Sequence, residues 1–289
     1  MTIVSCSHGK HIGSLIARKL KSKHSYLHVD KFPDNELSIR FDCKLKNQNV
    51  VLVQSFYGNI SDCIIEIMFA AKTAHELEAK KVTLVAPYFP YLRQDKRFHK
   101  GEAVSLNIIA GLIDSYFDAV FVMDPHLHRK SRLENIFKIK SKKLTANPLM
   151  AEYIKKRIQN PVIIGPDEES YKWARDVAEI IGAESRILKK KRHSAYHVEV
   201  KLNKKIDLKN KNAVIVDDIV STGNTILETA KILKKLRAKK IYCICVHGIF
   251  ANDALNKLKK AGINVVSTNT IPNKVAKIDV SGEISGILK

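Results

Sequence analysis

Long apolar runs are missing from this 289-residue chain. No stretch approaches the roughly 18 residues that a membrane-spanning helix needs, so a spanning protein and a membrane partner are not expected. Cysteine is scarce and odd in number. Cys6, Cys43, Cys63, Cys243 and Cys245 form no C-x-x-C pair, which argues against a disulfide framework or a structural zinc site and fits a reduced, cytoplasmic setting. The opening MTIVSCSHGK lacks a charged segment followed by an apolar one, so a secretory leader is not expected. No G-x-x-x-x-G-K-[ST] segment occurs, which removes the P-loop nucleotide triphosphatases.

Acidic residues are also in short supply, 29 against 50 basic ones, for a formal net charge of +21. Such an excess invites a nucleic-acid reading. The 39 lysines and 11 arginines argue otherwise. They are scattered in short groups along the whole chain, with no basic tail and no aromatic-rich RNA-binding segment. Arg, the usual reader of bases, is the minority. Solvated helix faces explain the pattern, no nucleic-acid partner is expected, and an attraction for small phosphorylated molecules remains compatible with it.

What the chain has is a series of short β-branched runs. Val50–Val53, Val82–Ala86, Ala119–Met123, Val162–Ile164, Ala213–Val216, Ile241–Val246 and Val265–Val266 are continuous apolar segments, as expected of strands buried on both faces. Helical patterns lie between them: from a cap at Ser61 or Asp62 to Leu77, Ser105–Ile113, Pro148–Ile158, Ser170–Ile181, Gly223–Leu236, and Ala251–Lys260 ending at Gly262. Strands alternating with helices predict an α/β fold with mainly parallel sheets. At roughly 150 residues per domain, two domains are expected, 1–146 and 147–289, with a tail from about 271 that lacks clear periodicity and could pack back on the first domain. No repeat is visible between the halves. Most of the strands end in polar groups, among them Gln54–Ser55, Asp124–Pro125–His126, Gly165–Pro166–Asp167 and Asp217–Asp218, where open parallel sheets keep their ligand crevices.

The sharpest motif is AVIVDDIVSTGNTI at 213–226. A buried strand leads into two carboxylates, a small-residue loop and a helix. Ser221, Thr222, Gly223, Asn224 and Thr225 can present backbone N–H groups at a helix N-terminus, which is a phosphate seat. Asp217 and Asp218 cannot bind phosphate, but can accept from sugar hydroxyls or hold Mg²⁺. Phosphate beside a diol points to a ribose phosphate.

This segment resembles the phosphoribosyl diphosphate loop shared by type I phosphoribosyltransferases and ribose-phosphate diphosphokinases. KFPDNE (31–36), PYFPYLRQDKRFHKGEAVS (87–105) and DPH (124–126) are similar to three further segments of the diphosphokinases. Together they make the chain resemble that family over nearly its full length, with STGNT and GPDEES closer to a divergent, archaeal-type subgroup. The resemblance implies two tandem type I phosphoribosyltransferase-like domains, ATP and ribose 5-phosphate as substrates, Mg²⁺ as cofactor and a homo-oligomer of at least two copies. It implies ATP contacts from Phe32, Asp34, Glu36, Arg93, Gln94, Asp95 and His126. Phe32 can stack on a purine, although a plain surface turn fits 31–36 equally well. Arg93 suits a phosphate oxygen or an ion pair with Asp95. The implied metal groups are Asp124, His126 and Asp167, although Mg²⁺ prefers oxygen and His126 could simply be hydrogen-bonded. Lys190 and Arg192 match a mobile-loop Lys-x-Arg pair that would meet transition-state charge together with Arg93. Asn35 and Asn224 stand where glycine is usual, and Asn tolerates left-handed backbone. A phosphoribosyltransferase that consumes phosphoribosyl diphosphate and a non-catalytic relative of the same fold are the alternatives.

Overall fold

All seven apolar runs are strands in the computed structural model. It describes every residue except 98, 128–131, 169, 193–197 and 203–207, and only the backbone of 189–192 and 198–202. Internal contacts divide the chain into two units, residues 1–145 with 280–289, and residues 146–279.

The first unit runs β1 (Thr2–Ser5), α1 (Lys10–Leu20), β2 (Lys23–Lys31), β3 (Leu37–Phe41), β4 (Asn49–Val53), α2 (Ile60–Glu76), β5 (Lys81–Ala86), α3 (Ser105–Tyr116), β6 (Ala119–Met123) and β7 (Lys140–Leu144). Its seven-stranded sheet has the order β3-β2-β1-β4-β5-β6-β7. All neighbours are parallel except the β2–β3 hairpin. β4, β5 and β6 are central and almost wholly buried, which is why they are built mainly of Val, Leu, Ala, Phe and Met.

The second unit runs α4 (Asn147–Arg157), β8 (Pro161–Gly165), α5 (Tyr171–Ile181), β9 (Glu184–Arg192), β10 (Val198–Leu202), β11 (Asn212–Val220), α6 (Asn224–Lys235), β12 (Lys240–Gly248), α7 (Ala254–Lys260), β13 (Ile263–Thr268) and β14 (Ala276–Ile278). Its sheet order is β10-β9-β8-β11-β12-β13-β14, again with one antiparallel pair, β9–β10. The last helix, α8 (Ser281–Leu288), lies against α1 in the first unit.

The two sheets therefore share one strand order, a repeat that the sequence does not reveal. Register makes the equivalence residue by residue. Asn49 pairs with Lys81 across β4 and β5, and Asn212 pairs with Lys240 across β11 and β12. Five and six positions on, Gln54 and Ser55 of the first unit occupy the places of Asp217 and Asp218 in the second.

Several details correct the sequence reading. Asn59, not Ser61 or Asp62, caps α2, its side chain accepting from the Asp62 N–H at 3.3 Å. Asp217 and Asp218 lie inside β11, because pairing with β12 continues to Val220–Gly248. Lys190 and Arg192 belong to the backbone of β9, paired with Val200 and Val198 of β10, rather than to a loop. α7 starts at Ala254, since Asn252 and Asp253 have left-handed backbone. Gly262 does close it, with φ 77° and its N–H on the Lys259 carbonyl.

Candidate active site

In the second unit, β11, its following loop and α6 form the motif's strand–turn–helix. Gly223 sits at the N-cap of α6 with φ 75° and ψ 0°, a backbone state that glycine adopts without cost. A Cβ there would meet Leu258 at 3.4 Å and Ala254 at 3.5 Å. The first-turn amides of α6 have no intrahelical partner by geometry, so they are donors facing out of the helix end. Asn224 is the first helical residue and needs no left-handed backbone, whereas Asn35 has φ 72°.

Asp217 is buried and held by two donors. Ser170 Oγ donates to its Oδ1 at 2.7 Å, and the Asp218 N–H donates to the same oxygen at 3.0 Å. Burial pushes the Asp217 carboxyl well up, the Asp218 charge pushes it further, the Ser170 bond opposes, and Asp167 adds to the rise. Asp218 is also buried, and its Oδ1 accepts from the Ile219 N–H at 2.8 Å. Asp167 accepts from the Ser170 N–H at 2.8 Å, which ties the β8–α5 turn to the same cluster. Ser170 was not singled out by the sequence, although a Ser directly before a helix is a capping signal. Here its hydroxyl makes no cap bond and turns to Asp217 instead.

In the first unit the expected nucleotide residues lie at the β2–β3 hairpin, in the segment between β5 and α3, and just after β6. Phe32, Asp34, Asn35 and Glu36 form the tip of the β2–β3 hairpin, closed by Phe32 N–H to Glu36 O at 2.9 Å and Asn35 N–H to Phe32 O at 2.8 Å. Phe32 is 55% exposed, with its ring in solvent at the hairpin end. Arg93, Gln94 and Asp95 do not follow a strand directly, because β5 ends at Ala86 and they lie seven residues and more beyond it. Arg93 is exposed, and Gln94 Oε1 accepts from Ser105 Oγ at 2.6 Å at the start of α3. Asp124 follows β6, fully buried, with φ 34°, and His126 is half-buried two residues on.

A pocket of about 290 Å³ opens between this hairpin and the start of α2, lined among others by Ser7, His8, Lys31, Asn59, Asp62, Cys63 and Glu66. Glu66 is buried beneath it and accepts from the Ser7 N–H at 2.7 Å, from Ser7 Oγ, and from Gln54 Nε2 at 3.1 Å. Burial pushes the Glu66 carboxyl up, against the pull of these three bonds. Cys63 Sγ lies 2.9 Å from His8 Nδ1, and burial, Glu66 and Asp62 push its thiol up to about 12, so it is no thiolate. The sequence marked Gln54 as a strand-end polar group, but nothing in it tied Glu66, the seventh of seventeen residues in α2, to Ser7.

Among the described residues no three His, Cys, Asp or Glu side chains converge on a metal site. A single carboxylate can still suit Mg²⁺, which needs only one or two when water and substrate phosphates supply the rest. Asp124 and Asp167 offer the preferred oxygen, and His126 fits less well. The Lys190 and Arg192 side chains, and His128, lie outside the described residues.

Comparison with known proteins decides the family. The model for the N-terminal domain of ribose phosphate pyrophosphokinase matches residues 1–116, and that for the phosphoribosyl transferase domain matches 132–283. The ribose-phosphate pyrophosphokinase of Pyrococcus furiosus is 34% identical over 99% of this chain and 100% of its own length. That of Methanothermobacter thermautotrophicus is 35% identical over 99% of both. The chain belongs to the ribose-phosphate pyrophosphokinase family. The phosphoribosylpyrophosphate synthetase of Mycobacterium smegmatis shares the fold, with a TM-score of 0.87 at 20% identity over 99% of this chain and 97% of that one. The family's two phosphoribosyltransferase-type domains are the two sheets with one strand order described above. Relatives at 31–35% identity include archaeal ones, in line with the subgroup that STGNT and GPDEES resemble.

Proposed function

We propose that the chain transfers the β,γ-diphosphoryl group of ATP to ribose 5-phosphate. The observation that carries this is the β11–α6 turn, where two buried carboxylates precede a left-handed glycine that opens a helix. Residues 221–225 offer amides to the 5-phosphate, and Asp217 and Asp218 accept from the ribose hydroxyls. In the first unit, Phe32 stacks on the adenine, Asp34 and Glu36 accept from its amine, and Arg93, Gln94, Asp95 and His126 hold the triphosphate.

The anomeric hydroxyl attacks the β-phosphorus. The bond from that phosphorus to the α,β-bridging oxygen breaks, the hydroxyl proton is lost to solvent, and AMP leaves. The products are 5-phosphoribosyl 1-diphosphate and AMP. No covalent enzyme intermediate is needed, so the protein's share is alignment and charge stabilisation. Lys190, Arg192 and Arg93 meet the negative charge on the transferring group. Asp124 and Asp167 are the groups to hold Mg²⁺, which when bound offsets phosphate charge. Assembly of at least two copies belongs to the same reading, supported by Ile65 and Phe69, exposed one turn apart on α2. A reducing, cytoplasmic setting is supported by five free cysteines.

Phosphorus NMR of a mixture of ATP, ribose 5-phosphate and Mg²⁺ tests the reaction. A diphosphate on the anomeric carbon together with AMP is expected. ADP with a ribose bisphosphate would refute diphosphoryl transfer.

A further inference from the structure

We propose that the turn at residues 248–253 positions the ribose 5-phosphate loop, with Gly248 and Asn252 as its deciding residues. This rests on the reading of 221–225 as that loop. β12 ends at Gly248, and the chain then reverses through Phe250 (φ 50°), Asn252 (φ 53°) and Asp253 (φ 61°). Three left-handed non-glycine residues in four positions are strained, and such strain persists only where surrounding contacts enforce it.

The contacts that enforce it lead to the loop. The carbonyl of Val220, the last residue of β11, accepts two amides from this turn, Ile249 at 3.0 Å and Phe250 at 3.1 Å. The Phe250 ring lies over Gly248 so closely that a Cβ there would stand 2.4 Å from Cε2. On leaving the turn, the chain enters α7, and its Ala254 and Leu258 form the surface against Gly223. One segment thus holds residue 220 by its carbonyl and residue 223 by packing, on either side of Ser221 and Thr222. The direction of the loop's amides, and so its fit to a phosphate, depends on where those two ends are held. The left-handed backbone is what turns the chain from those two amides into α7, because an extended Phe250 or Asn252 would carry Ala254 and Leu258 away from Gly223.

The test uses the full chain and reads ribose 5-phosphate affinity by titration calorimetry beside steady-state KM values for both substrates. Asn252→Gly keeps the left-handed state and is expected to leave both KM values within about twofold. Asn252→Val, whose branched side chain opposes that state, is expected to weaken ribose 5-phosphate at least tenfold while KM for ATP stays within twofold. Gly248→Ala, which displaces the Phe250 ring, is expected to do the same, and decides the matter should the valine variant not fold. Ribose 5-phosphate affinity unchanged in both variants would overturn the proposal, as would a wild-type chain that binds no ribose 5-phosphate. Wild-type chain that binds it yet forms no AMP would refute the proposed reaction and leave the positioning role measurable by calorimetry.

Discussion

Ser170 Oγ donates to Asp217 Oδ1 across 2.7 Å, joining the start of α5 to the interior of β11. The bond gives a buried carboxylate a donor in place of the water that burial excludes. Ser170→Ala would leave that carboxylate with one fewer partner, at a cost of about 1–3 kcal/mol. A drop of several degrees in Tm checks it. Asp217→Asn should act in the opposite direction on stability. With the folded carboxyl raised above its ordinary value by burial and Asp218, the folded state binds the proton more tightly than the unfolded one. Stability from this group is present at low pH and falls as pH rises through the raised value. The Asn variant should therefore melt above wild type at pH 8, with the gap closing toward pH 4, while losing ribose 5-phosphate binding.

Glu66 holds the β1–α1 turn to β4 through Ser7 and Gln54. All three partners donate, so an amide in its place would set a donor against donors. Glu66→Gln should cost about 1–3 kcal/mol, read as a lowered urea midpoint at unchanged m. Unaltered stability would mean that the carboxylate does not fasten this turn.

Phe32 is exposed at the β2–β3 hairpin tip and contributes little to the core. Phe32→Ala should leave Tm within about a degree, since exposed substitutions usually change stability by no more than 0.5 kcal/mol. If its ring stacks on adenine, KM for ATP should rise about tenfold or more, as removing one stacking contact is worth roughly 1–3 kcal/mol. An unchanged KM would return residues 31–36 to a plain surface turn.

Lys190→Ala should lower kcat by about two orders of magnitude or more, with substrate affinities much less affected, as expected of a group that acts on transition-state charge. An unchanged kcat would reject its role.

The parts of the fold legible in the sequence are those whose environment is uniform. β4, β5, β6, β11 and β12 are largely buried and read as mainly apolar runs, interrupted by Thr83 in β5 and by Asp217 and Asp218 in β11. The strands that escaped reading lie mostly toward the edges. β2, KHSYLHVDK, alternates only weakly because just Leu27 is fully buried, and β7, KSKKL, carries the lysines that keep an open edge from pairing. The duplication escaped because it resides in strand order and register, which Gln54–Ser55 against Asp217–Asp218 disguises. In the site, the loop chemistry of 217–225 was legible because carboxylates, small residues and a glycine are adjacent in sequence. Ser170 and Glu66 were not, because their partners come from distant strands, and only folding makes them neighbours.

AMP formation from ATP in Mg²⁺, measured with and without ribose 5-phosphate, tests the central claim most directly. AMP should appear only when ribose 5-phosphate is present, and in equal amount to phosphoribosyl diphosphate. AMP released at the same rate without the sugar phosphate, or none released with it, would contradict the assignment.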